Sequence, residues 1–454
     1  MALPVNDVVG SVSCRVVTDP QDVASWCRDT SGAPAGTPVA VVLAETVEDV
    51  SAALRWATRH RVPVSVRGAG TGLAGGANAY DGGLVVSLAG LDRIRGVDPD
   101  DRVAEVEAGV VTADLDRAAR AHGLMYPPDP ASLESSTIGG NIATDAGGLR
   151  CLKYGVTRDW VAGLEVVLAD GRIIRTGGRT RKDTAGYHLT GLFVGSEGTL
   201  GVVTAATLRL LPLPAEAPVT FRAAYATVAD AGAAVSAIMR SPVTPEVLEF
   251  LDAPTIEALE AYRPGGLERG SAAVLIGRLA GEDVEGQWDV VSAVLGGTDH
   301  GATSVVRASA GEGERLLAAR RLVSPAMLAL GPLIVCDVAV PPSRLVEILA
   351  AVDAVAAASG LSIATAGHAG DGNIHPVIML PADDEGGRAR AAAAARRIAE
   401  EAVRLGGTVT GEHGIGIRKH DLLSVQLDET ALAVHRAVKA ALDPLGILTP
   451  GRVI

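Results

Sequence analysis

Three of the chain's nine histidines lie in two glycine-rich segments where polar residues crowd. Gly367-His-Ala-Gly-Asp-Gly-Asn-Ile-His-Pro376 sits between two apolar runs, Leu361 to Ala366 and Val377 to Leu380. Asp371-Gly372 is a turn signal, so His368 and His375 are expected to face each other across a tight loop. Thr408-Val-Thr-Gly-Glu-His-Gly-Ile-Gly416 puts Glu412 and His413 just after another expected strand. Two histidines and one carboxylate form a common three-ligand set for a divalent metal, with a position left open for substrate. Histidines satisfied within loops fit the same spacing, so both readings stand at this point.

A different chemistry is written in Arg67 to Gly83, RGAGTGLAGGANAYDGG, where seven of 17 residues are Gly and Lys is absent. So many glycines disfavour helix and strand, because each adds backbone entropy that folding must remove. They allow consecutive N–H groups to converge on one anion, most often a phosphate or pyrophosphate. Gly70, Gly72 and Gly75 fit G-x-G-x-x-G literally, but Ala-Asn-Ala-Tyr-Asp-Gly-Gly follows and cannot open the helix a dinucleotide fingerprint needs. The segment contains no G-K-[ST], which excludes a Walker-type loop. Two more such pieces follow. Pro127 to Gly148 carries two Gly pairs eight positions apart among small and hydroxylic residues. Val194-Gly-Ser-Glu-Gly-Thr-Leu-Gly-Val-Val203 lacks the spacing of a serine-nucleophile elbow, because Val194 stands where that motif needs Gly. Any one could be turn chemistry, but three between Arg67 and Val203 point to a ligand that is flat, bulky and phosphorylated.

The elements that must position these segments are mixed. At 454 residues the chain is long for one core. Its 48% apolar content suits a packed globular protein, and its net charge of −13 argues against nucleic acid or an anionic membrane as partner. Cys14, Cys27, Cys151 and Cys336 are scattered, which fits a reducing cytoplasm and offers no thiolate metal site. MALPVNDVVG has no basic or apolar leader region, so no signal peptide is expected. Thr46-Val-Glu-Asp reads as a helix N-cap, with Val50, Leu54 and Ala57 as the apolar face. Val62 to Val66, Leu84 to Leu88 and Val103 to Val106 read as strands, and Thr112 to His122 as a helix stopped by Gly123. Leu210 to Pro214 looks like a domain exit. Beyond it, helices at Thr227 to Arg240 and Leu345 to Ala358 alternate with strands at Ala272 to Ile276 and Ile334 to Val340. That pattern predicts an antiparallel sheet covered by helices.

RGAGTGLAGGA, STIGGNIATDAGG, YGVTRDWVAGLEVVLADG and GSEGTLGVVT together resemble the FAD-binding domain of the vanillyl-alcohol-oxidase and p-cresol-methylhydroxylase (PCMH) type over about residues 35–215. The resemblance implies an α+β fold: a two-lobed PCMH-type FAD domain (1–215), a substrate or cap domain (216–425), and a tail (426–454) that returns to the flavin. It further implies that Gly68, Ala69, Gly70, Thr71, Gly72 and Leu73 line the diphosphate, with Arg67 also among the cofactor-binding residues. Pro128, Ser132, Thr137, Gly140, Ala143 and Thr144 would approach the flavin and its linker and Val203 the adenine end, with Gly147 and Gly198 also binding the cofactor. Some members attach FAD through a His in the first loop; none lies between Arg67 and Gly83, so FAD is expected to be noncovalent.

GHAGDGNIHP and GEHGIG resemble the C-terminal signature of the branch with D-lactate dehydrogenases, the glycolate oxidase flavin subunit and D-2-hydroxyglutarate dehydrogenases. By that resemblance His368, His375 and Glu412 bind a divalent metal, zinc by preference, and His413 is the catalytic base. Asn373 would help hold the site, Arg320 would bind the substrate carboxylate and Ser324 would lie nearby; the alternative for Arg320 is a solvated helix face beside Arg315 and Arg321. The implied reaction is oxidation of a D-2-hydroxy acid to the 2-oxo acid, with the metal orienting substrate, His413 taking the hydroxyl proton and hydride passing to flavin N5. A Lys that reaches a distal carboxylate in the 2-hydroxyglutarate branch is Val335 here, and an Asn two residues after the second His is Val377. Both changes favour a small or apolar substrate such as lactate or glycolate. The family usually has Asn where Thr449 stands. The electron acceptor could be a quinone, an electron-transfer flavoprotein, a cytochrome or O2, and the chain could pair with itself or with partner subunits. Competing readings are an FAD-linked oxidase of another alcohol, a flavin partner subunit without its own chemistry, and a metal-dependent hydrolase with a regulatory nucleotide.

Overall fold

The computed structural model describes residues 5–297, 301–380 and 386–454. Thr46 opens the first long helix, Val47–His60, with a reciprocal capping box to Asp49. That cap satisfies two backbone donors the helix leaves open. Its apolar face, Val50, Leu54 and Ala57, packs on the strands Ala40–Leu43, Val64–Arg67 and Leu84–Ser87 in one buried cluster. These three strands run parallel, with Leu84–Ser87 in the middle, and Val16–Val17 adds an antiparallel edge. The helix is therefore the crossover that a parallel pair requires. A second, antiparallel sheet has the order Ile94–Asp98, Val103–Glu107, Val202–Arg209, Val161–Val167, Ile173–Gly177.

The chain divides into two units. One holds residues up to Gly147, then Gly155–Leu213 and Glu412–Ile454; the other holds Gly148–Tyr154 and Pro214–Gly411. In the first unit the C-terminal segment returns to the parallel sheet. Val64 N donates to Ile447 O (2.8 Å), and Thr449 N donates to Val64 O (2.8 Å).

The second unit is built on one antiparallel sheet, in the order Ser304–Arg307, Val219–Tyr225, Ala273–Leu279, Val247–Asp252, Ile363–His368, Asn373–Met379, Leu333–Val335; Val338–Ala339 also pairs with Asn373–Met379. Strand residues Val247, Leu251, Ala364, Ala366 and Val377 form a buried cluster with Ile256 and Leu259 of the helix Ala253–Tyr262, Leu316 and Leu317 of Ala310–Arg320, and Val323 and Met327 of Val323–Leu330. The α+β architecture, with helices on an antiparallel sheet, is thus as expected.

Two local expectations need correction, and one helix was not foreseen. Ile334 to Val340 is not one strand: it breaks at Cys336-Asp337, because the Asp337 carboxylate turns into the structure to accept from Asn373 Nδ2 (2.8 Å) and Thr410 Oγ1 (2.8 Å). No strand precedes Glu412; only Thr408 bridges Ala339, because Gly411 N donates to Asp337 instead of extending a ladder. The glycine-rich Ile138–Thr144 forms a helix. Thr137 caps it, and Ile138 and Ile142 are fully buried, which outweighs the poor helix propensity of two glycines. Among the described residues no helix is long and apolar enough to cross a membrane.

Candidate functional site

In the first unit the three glycine-rich pieces meet. The loop after Val64–Arg67 contains no helix, and the next helix is Thr112–Arg120. A Cβ on Gly68 would collide with the Thr137 hydroxyl at the start of Ile138–Thr144. Gly195 N and Glu197 N donate to Ile142 O (2.9 Å) and Ala143 O (2.8 Å) of that helix. Arg67 is buried and donates from Nη1 to Arg28 O at 2.8 Å. All of Arg67, Gly68, Ala69, Gly70, Thr71, Gly72, Leu73, Pro128, Ser132, Thr137, Gly140, Ala143, Thr144, Gly147, Gly198 and Val203 belong to this unit. Val203 is buried in the second sheet, in register with Val166.

Two charged residues brace this region from a distance, and neither was singled out by sequence. Arg452, buried near the end of the chain, donates to Gly76 O (2.6 Å) and to Asn78 O, and its guanidinium stacks 4.2 Å over the Tyr80 ring. Glu197 accepts from Ile415 N (2.7 Å) and Gly416 N (2.9 Å). Burial pushes its carboxyl above the ordinary range, against the pull of those two amides. Ala74 O accepts from Ile417 N at 2.8 Å. Glu412 and His413 therefore open a segment whose following residues are pinned to the first and third glycine-rich pieces. Within it His413 Nε2 lies 3.6 Å from Glu412 Oε1. Glu412 also rests on Gly147, where a Cβ would come 2.5 Å from Oε2.

In the second unit His368 ends one strand of a hairpin and His375 lies in the other. His368 is opposite Asn373 and His375 is opposite Ala366, so the period of two puts both imidazoles on one face. Their rings are 5.3 Å apart and edge to face. Each has a carboxylate behind it. Glu249, opposite His368 on Val247–Asp252, sets Oε1 2.7 Å from His368 Nδ1. Asp337 Oδ1 is 3.7 Å from His375 Nδ1. The hydrogen bond to Glu249 fixes the ring and the tautomer of His368, leaving its Nε2 with the lone pair a metal needs, whereas Asp337 is too far from His375 for a hydrogen bond. The donor set and its backing fit a divalent ion. Asn373 is buried and donates from Nδ2 to Asp337 Oδ1 and to Val338 O (3.0 Å). Gly411, the residue before Glu412, donates to Asp337 Oδ2 at 3.0 Å.

Arg320 does not lie on a solvated face. It is 7% exposed, its Nε is 2.5 Å from Glu249 Oε2, and its Nη2 is buried without a hydrogen-bond partner among the described residues. A buried guanidinium edge of this kind has the geometry to take an anionic group. Ser324, by contrast, is exposed on Val323–Leu330. Val335 and Val377 prove to be direct cross-strand partners, on the same face as His375.

Sequence reasoning missed Glu249 and Asp337 as well as Glu197 and Arg452. The available signal for Glu249 was a lone carboxylate at the inward position between Val247 and Leu251; for Asp337 it was an acid inside an apolar run.

Residues 38–177 match the family described as FAD binding domain, and residues 215–453 match FAD linked oxidases, C-terminal domain. The chain is 44% identical over 420 residues to the glycolate oxidase subunit GlcD of Bacillus subtilis (strain 168), covering 92% of this chain and 89% of that protein. It is 38% identical over 415 residues to a D-lactate dehydrogenase of Archaeoglobus fulgidus, covering 91% of each. A solved structure of p-cresol methylhydroxylase with substrate bound superimposes with a TM-score of 0.80 at 21% identity, over 99% of this chain and 96% of that one, which shows a shared fold. Glycine-lined FAD segments and a matched C-terminal domain agree: the chain belongs to the FAD-linked oxidases.

Proposed function

We propose that this oxidoreductase converts a small D-2-hydroxy acid, of lactate or glycolate size, to its 2-oxo acid, with FAD bound noncovalently. The observation that carries the reading is Arg320. A buried guanidinium whose Nη2 has no hydrogen-bond partner among the described residues shares Glu249 with His368, which suits a carboxylate anchor beside a histidine pair. The names of the relatives, a glycolate oxidase subunit and a D-lactate dehydrogenase, point to the same substrate class.

On this reading Arg320 Nη2 takes the substrate carboxylate and fixes its orientation. His413 accepts the hydroxyl proton at an imidazole nitrogen. His368, His375 and Glu412 would hold a divalent ion, with Asn373 bracing the hairpin, and the ion would polarise the hydroxyl oxygen. Bound FAD supplies the hydride acceptor that no side chain provides. The glycine-rich pieces would hold the diphosphate and flavin through backbone rather than side chains, and the first loop offers no His for a covalent link. The apolar pair Val335–Val377 suits a substrate side chain without a second carboxylate. The Bacillus relative is named as a subunit, and this chain is taken to work with a partner subunit as well.

The test is turnover of D-lactate, L-lactate, glycolate and D-2-hydroxyglutarate with an artificial dye as acceptor. D-lactate or glycolate is expected to lead, with D-2-hydroxyglutarate at least about tenfold lower in kcat/KM. Preference for the dicarboxylate, or no turnover of any of the four, would overturn the assignment.

A further inference from the structure

Glu249 is fully buried on a strand whose other inward residues, Val247 and Leu251, belong to an apolar cluster. A carboxylate there is expensive to desolvate, and an apolar residue of similar volume would pack at least as well. Its two oxygens are spent on different partners. Oε1 is 2.7 Å from His368 Nδ1, and Oε2 is 2.5 Å from Arg320 Nε. The strand register imposes the first contact, because Glu249 is the cross-strand partner of His368. The second comes from the helix Ala310–Arg320, whose last residue turns inward. A purely structural ion pair would involve neither a histidine facing a second histidine nor an arginine whose buried Nη2 has no hydrogen-bond partner among the described residues.

Asp337 shows what the simpler arrangement looks like. It backs His375 but spends its remaining capacity on Asn373, Thr410 and the amide of Gly411, all of which shape the hairpin and the chain beside it. Glu249 instead reaches out of the hairpin to the guanidinium.

Resting on the hydroxy-acid reading above, we infer that Glu249 is a positioning residue that joins two functions through one side chain. One oxygen holds His368 with Nε2 presented to the metal, and the other holds Arg320 with Nη2 presented to the substrate carboxylate. Metal binding and carboxylate binding then depend on the same residue, although it touches neither ligand.

The test uses the full-length, FAD-loaded protein in two titrations. Zinc is titrated into chelator-stripped protein, without organic acid, by competition with a chromophoric chelator. Pyruvate, which does not reduce the flavin, is titrated into metal-free protein and followed by the flavin absorbance change. Glu249→Gln is expected to weaken zinc about 10–100-fold. It is also expected to weaken pyruvate about tenfold or more in the absence of any metal. Thermal unfolding checks that the variant is folded. If it is not, Glu249→Asp, which keeps the charge but shortens the reach, must show both losses. A variant that matches wild type in either titration overturns the joint role of Glu249 alone. Wild type that takes up no zinc overturns the metal reading and the inference with it.

Discussion

The glycine-rich segments around Gly68 and the histidine hairpin around His368 are built in opposite ways. Around Gly68 the recognition surface is backbone: small residues bring three segments into contact, and the charged side chains, Arg452 and Glu197, hold carbonyls and amides in place. Around His368 the surface is side chain. Two imidazoles and the Glu249 carboxylate are set by strand register, the Arg320 guanidinium comes from a helix end, and the Asp337 carboxylate comes from a break between strands. A pyrophosphate can be bound by any run of convergent amides, so that region needs space more than particular functional groups. A metal and a carboxylate need named donors at fixed angles, so on the proposed reading the second region would need particular residues brought from far apart in sequence.

Substitutions should therefore separate the two regions. The largest effect is expected from His413→Asn: kcat falls about 10²–10⁴-fold while FAD content stays at wild-type level, read from the absorbance spectrum and steady-state rates. Arg320→Met comes next, raising KM for the hydroxy acid about 10²–10³-fold with the flavin still bound. That variant sharpens the comparison, because it removes a side-chain anchor and leaves the backbone cradle alone.

The strand that carries Glu249 also ends in Asp252, whose carboxyl caps the helix Ala253–Tyr262 and accepts from Thr365 N. Burial pushes its pKa up to about 6 from an ordinary 3.8. The native state thus binds more protons than the unfolded state between those values. Stability relative to Asp252→Asn should fall as pH rises through that window, by up to about 3 kcal/mol, and stay level above it. Chemical denaturation of both proteins at pH 4, 5, 6 and 7 measures the difference; a parallel pair of curves would refute it.

Gly68→Val tests the backbone region. The new side chain meets the Thr137 hydroxyl, and FAD affinity is expected to drop about 10–100-fold while zinc uptake by the hairpin is unchanged. The smallest effect belongs to Thr449. It is buried at φ 41° with its hydroxyl unpartnered among the described residues, a backbone region where Asn is at home and a β-branched residue is strained. Thr449→Asn should add about 0.5–1 kcal/mol of stability, read as a small rise in Tm.

The same contrast governs what sequence alone could reveal. Backbone recognition leaves a local trace, because amides converge only where several small residues lie close in sequence; all three glycine-rich pieces were visible for that reason. The facing histidines were visible because Asp371-Gly372 fixes a hairpin over a short span. Glu249 was not, since it stands 119 positions from His368 and only the order of strands brings them together. Arg320 could be nominated by resemblance, but its burial follows from the packing of a helix whose last turn points inward. The helix Ile138–Thr144 was hidden because its glycines argue against it, and only the Thr137 cap and the burial of Ile138 and Ile142 decide the matter. The break at Asp337 was hidden because its partners Thr410 and Gly411 lie 73 and 74 positions further along the chain.

The most direct test of the proposed chemistry is anaerobic reduction of the protein's own flavin by D-lactate and by glycolate, each with protium or deuterium at the α-carbon, before and after stripping with EDTA. Bleaching of the flavin absorbance by one of these acids, slowed by deuterium and abolished by EDTA until zinc is restored, is the expected result. A flavin that stays oxidised with both acids would contradict hydroxy-acid oxidation, and bleaching indifferent to EDTA would contradict a role for the histidine pair as metal ligands.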